Sequence, residues 1–169
     1  MGDWTYTAYV IKHLVEGIAE QEGKEKEDVE LGIDELLTFY FKYQPKVRLC
    51  YGGGRKEVYW DLISLENLGF LEVLEKDKEY LDQKIRVKKW KSLENNVKIR
   101  ERIARMAGSI LLDIVEKTKQ AVEKYLQDRK EGKLEENVRK TRELLKAYDE
   151  IEEVVGEVLK REKGCDYVI

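Results

Sequence analysis

Residues 52–72 read GGGRKEVYWDLISLENLGFLE, and the reading of this stretch decides the fold. Three glycines permit a sharp turn, and Arg55 and Lys56 then stand at the start of a helical pattern, where unpaired amides and the helix dipole favour an anion. At 100° per residue Val58, Leu62 and Leu65 cluster on one side of a helix over residues 56–68 and are expected to pack inward. Lys56, Trp60, Ser64 and Asn67 fall roughly opposite, with Glu57 and Asp61 flanking that outer face. The alternative for Trp60 is packing against the C-terminal helices or a second subunit. Gly69 stands where a helix ends.

Downstream, residues 70–74 and 84–90 read as two strands of a ribbon joined by a polar turn. In the second, Ile85 and Val87 face a core while Arg86 and Lys88 face out, followed by Lys89. Outward lysines suit a phosphate backbone, and they also protect an edge strand from aggregation. Upstream, Val47, Leu49 and Tyr51 alternate with Lys46, Arg48 and Cys50, a period-two pattern that predicts a short strand over 47–51.

Apolar spacing predicts an amphipathic helix over 5–21, with the single histidine, His13, packed within its stripe. A second helix is expected over 29–43, capped by Asp28 and ended ahead of Pro45. From Ser92 onward the pattern is helical. One helix runs to about residue 126 and would be about 50 Å long; Gly132 interrupts the pattern, and a second helix carries Leu144, Tyr148, Ile151, Val155 and Val158 at heptad spacing. The fold class is therefore mainly α with a small β-ribbon. An α+β part spans residues 1–91, and a long helical hairpin, which pairs with itself or with another chain, spans 92–169.

Charge is unevenly distributed. Residues 1–45 hold 4 basic and 10 acidic side chains, residues 46–91 hold 11 and 8, and residues 92–169 hold 17 of each. Only the middle third is net positive, which singles it out as the place to look for a polyanion partner. Interspersed Lys, Arg and Glu give a thermophile-like composition.

Other chemistry lacks its residues. The glycine run has neither the Lys-Ser/Thr pair of a phosphate-binding loop nor the glycine spacing of a dinucleotide fingerprint. One His and two distant cysteines, Cys50 and Cys165, make no zinc site or Cys–His nucleophile. The carboxylates alternate with bases along helices. No catalytic residue, cofactor or metal is implied, and without a leader-like start or an apolar run of about 18 residues the expected location is cytoplasmic.

Residues 29–90 resemble the winged-helix domain of MarR- and PadR-like transcription regulators. The run Trp60 to Glu72 is similar to the exit of a recognition helix, and a ribbon follows it. The resemblance implies a homodimer, held through residues 92–163, that presents two recognition helices to a two-fold symmetric duplex DNA site. Arg55, Lys56, Arg86, Lys88 and Lys89 would then meet phosphates, and Trp60, Ser64 and Asn67 would lie near bases. The alternative is a helical adaptor, or subunit of a larger assembly, that binds protein and no DNA.

Overall fold

A computed structural model describes residues 4–45 and 55–163, with backbone alone for 109, 110 and 151–163. The strand expected over 47–51, the glycine turn at 52–54, both cysteines and the tail from 164 lie outside the described residues. The protein is mainly helical with a small three-stranded antiparallel sheet.

Helix α1, Trp4–Glu22, buries Ala8, Ile11, Leu14, Val15 and Ile18, the spacing of one helical face. Gly17 interrupts the stripe for a steric reason. A Cβ there would stand 2.1 Å from Leu126 Cδ1, so glycine lets a later helix approach the α1 backbone.

The second helix starts later than its periodicity predicts. Asp28 ends a 3-10 turn, Lys26–Asp28, and strand β1, Leu31–Gly32, precedes helix α2, Ile33–Thr38, which has no side-chain cap and continues as a π-helical turn, Phe39–Tyr43. The reason is tertiary. Leu31 and Gly32 pair with Ile85 and Lys84, and the Ile33 amide donates to Gln83 O at 3.0 Å, so this backbone is drawn into a sheet.

Helix α3, Arg55–Asn67, leads into strands β2, Leu71–Leu74, and β3, Lys84–Val87. Phe70 N closes the end of α3 by donating to Leu65 O at 3.0 Å. The sheet order is β1-β3-β2, with Leu71 opposite Val87 and Val73 opposite Ile85. Ile85 and Val87 are buried as their alternation predicts, and Arg86 points away from the core side.

The helix predicted from residue 92 to about 126 is two helices, α4, Trp90–Ala107, and α5, Ser109–Lys130. Gly108 separates them at φ 128° and ψ 176°, a conformation open essentially to glycine alone. Lys119 lies 3.9 Å from Glu101. In one straight helix those residues would be about 27 Å apart, so the chain turns back at Gly108. Both helices pack on α1: Tyr6 Oη is 3.2 Å from Thr118 Oγ1, and His13 Nε2 is 3.4 Å from Glu101 Oε1.

Helix α6, Leu134–Lys163, begins after a turn in which Lys133 N donates to Asp128 O at 2.8 Å. It is anchored by Arg142, which donates to Asp34 at 3.0 Å, to Leu81 O at 2.9 Å and to Asp82 at 2.5 Å. One continuous set of buried side chains links all six helices and the sheet. Tyr125 lies within it, fully buried, with Phe39 and Tyr43 edge-on at 6.2 and 5.3 Å; burying a ring of this size stabilises by about 1.5–3 kcal/mol.

Candidate nucleic-acid interface

Helix α3 rests on the protein through Val58, Leu62 and Leu65, all 2 % exposed or less. Lys56, Trp60 and Asn67 are exposed and Ser64 is half-buried, so the four residues expected on the outer face share it. Trp60 is 62 % exposed and therefore does not pack against the described C-terminal helices. Its ring meets Tyr59 edge-on at 5.4 Å, and Tyr59 in turn meets Tyr80 at 5.4 Å. These contacts hold a flat aromatic surface toward solvent. Burial pushes the Tyr80 phenol well above its ordinary range, and its hydroxyl finds no hydrogen-bond partner among the described residues.

One expectation for this face is corrected. Asp61 does not flank the outer surface; it is 5 % exposed and accepts a 2.6 Å hydrogen bond from Thr7 Oγ1, which lies 2.8 Å from Tyr40 Oη. Asp61 sits only 60° around the helix from Val58 and so borders the inner face, where the α1 hydroxyl offers it a donor. A negative charge expected beside the candidate contact surface is thereby withdrawn into the core.

The basic residues divide into two groups. Arg55 forms an ion pair with Asp149 of α6. Arg86 is held by Glu72 through Nε at 2.9 Å and Nη2 at 2.6 Å, with Lys88 Nζ 3.9 Å from the same carboxylate. Glu72 raises the Arg86 pKa by hydrogen bond and charge, yet the guanidinium is exposed, where such pairs contribute little and yield readily to another anion. Lys56, Lys88 and Lys89 are exposed. Lys89 extends across the exit of α3, its Nζ 3.4 Å from where a Gly69 Cβ would be. The acidic partners Asp149 and Glu72 carried no distinguishing signal in the chain. Asp149 lies 94 residues from Arg55, and the Glu72 carboxylate is one of many that alternate with bases.

Elsewhere the chemistry is sparse. A cleft of about 450 Å³ is lined by Asp34, Glu35, Arg129, Leu134, Glu135 and Val138. Burial, then the neighbouring Asp34, raises the Glu35 carboxyl, while Arg129 is engaged by Gln21 and Glu22. Among the described residues no group of three His, Cys, Asp or Glu side chains is placed to hold a metal ion, and no helix is long and apolar enough to cross a membrane. No known protein family, curated protein or solved structure matches this chain.

Proposed function

We propose that this chain is a DNA-binding transcription regulator of winged-helix type that acts as a homodimer, with α3 as the recognition helix and the β2–β3 ribbon as the wing. The observation that carries the reading is the order of elements: helix, short strand, helix, helix, then two strands, with the short strand β1 hydrogen-bonded to β3. That strand is too short to stand out in the sequence, and it supplies the third strand that such a domain needs. The surface chemistry agrees with it. The outer face of α3 offers Lys56 for phosphate and Trp60, Ser64 and Asn67 for base edges or the thymine methyl group. Lys88 and Lys89 extend that surface from the ribbon, and Arg55 and Arg86 can exchange exposed carboxylate partners for phosphates. The winged-helix reading makes residues 92–163 the dimer-forming region, so that two α3 helices address one two-fold DNA site.

The test is a fluorescence-anisotropy titration of mixed genomic duplexes at two salt concentrations. Replacing Arg55, Lys56, Arg86 and Lys88 together by Ala is expected to weaken binding and flatten its salt dependence. If affinity and salt slope are unchanged in that variant, the reading fails.

A further inference from the structure

Helix α4 carries an apolar strip that nothing in the described chain covers. Ile99, Ile103 and Met106 are 57, 49 and 81 % exposed, and their spacings of 4 and 3 place them on one line along the helix. Isolated exposed apolar residues are ordinary; a continuous strip of three is the kind of surface that a partner covers.

The charges around the strip say what kind of partner fits. Every exposed charged residue on α4 is basic, and Arg100 and Arg102 lie on opposite sides of the strip. Glu94 and Glu101 are half-buried and already engaged, the first by Trp90 and Lys98, the second by His13 and Lys119. Arg100, Arg102 and Arg105 form no ion pair with any described residue. A second α4 laid on this strip would set arginines against arginines, at a cost in like-charge repulsion. The occupant must therefore be apolar along one line and acidic beside it.

The chain itself carries such a segment. Residues 149–158 of α6 contain Asp149, Glu150, Glu152, Glu153 and Glu157 and no Lys or Arg. Their apolar positions Ile151, Val155 and Val158 repeat the 4-and-3 spacing of Ile99, Ile103 and Met106, as two helices packed along a common seam require. Within one chain Asp149 is directed to Arg55 of α3, away from α4. We propose that the outer face of α4 is covered by the C-terminal half of α6 from a second copy of this chain. Two such contacts form per dimer, related by a two-fold axis. The inference rests on the homodimer in the functional reading above and assigns its interface.

The test is the mass of the full chain in solution by sedimentation equilibrium, with helical content checked by circular dichroism. The wild type is expected to be a dimer. Reversing charge on α4 (R100E, R102E and R105E together) or on α6 (E152K, E153K and E157K together) weakens the dimer on the order of 100-fold, and combining the six changes restores it. A dimer unmoved by either reversal, one sensitive on α4 but not on α6, or a combined variant that stays monomeric while folded, each overturns the assignment and leaves the homodimer standing. A monomeric wild type overturns both the interface and the homodimer, whereas duplex binding by each protomer, read separately by anisotropy, bears on the DNA reading alone.

Discussion

Thr7 of α1 donates a 2.6 Å hydrogen bond to the carboxylate of Asp61 on α3, and both side chains are buried. The single Thr7 proton goes to the carboxylate, so Tyr40 donates to Thr7 in turn, and the α2 region joins the same network. This network fixes the face that α3 turns outward, since a rotation that exposed Asp61 would also bury Trp60.

Removing either partner leaves a buried polar group short of a bond. Asp61→Ala is expected to lower stability by about 1–3 kcal/mol in urea unfolding. Thr7→Val acts on the same bond, so the double variant loses less than the sum of the two single losses. Strict additivity would show that the contact does not couple α1 to α3.

The one histidine offers an unambiguous titration. His13 packs on Tyr9 with ring centroids 4.4 Å apart, and burial, then the charge of Lys12, lowers its pKa, with Glu101 opposing. Because the folded value lies below the ordinary 6.5, the unfolded chain binds more protons in that window and stability falls as pH drops through it. A single imidazole NMR resonance titrating below 6.5 is expected, and His13→Gln should lose this part of the pH dependence. A midpoint above 6.5 contradicts the burial argument.

Much of this architecture is legible in the chain because it rests on local periodicity. The inward positions Val58, Leu62 and Leu65, the alternation of Ile85 and Val87, and the helix starting at Leu134 are all read from spacing alone. Where partners lie far away in the chain, spacing is silent. β1 is two residues long and exists through its pairing with Ile85 and Lys84 more than 50 residues later. Asp61 reads as surface because a carboxylate usually is, and its donor is 54 residues away. At Gly108 the apolar pattern continues across the break, since both helices bury a face against α1, and only the backbone angle reveals the turn. The candidate contact surface was legible as residue types on one helical face, and the ion pairs that occupy Arg55 and Arg86 were not.

Gly108 therefore makes its own prediction. A Cβ there would meet nothing within 4 Å, so the cost of Gly108→Ala is backbone strain alone. A loss of about 1–3 kcal/mol is expected in thermal or urea unfolding. An unchanged or increased stability would mean that the α4–α5 turn does not require this conformation.

The dependence of duplex-DNA affinity on salt tests the functional account most directly. Between about 50 and 200 mM salt the wild-type dimer should lose affinity steeply, each phosphate contact adding about 0.9 to the slope of log K against log salt. Replacing Lys56, Lys88 and Lys89 together by Ala should lower that slope by about five, the amount expected for six phosphates in a two-fold complex. Absence of duplex binding at 50 mM, or a slope that the triple variant leaves unchanged, would contradict the account.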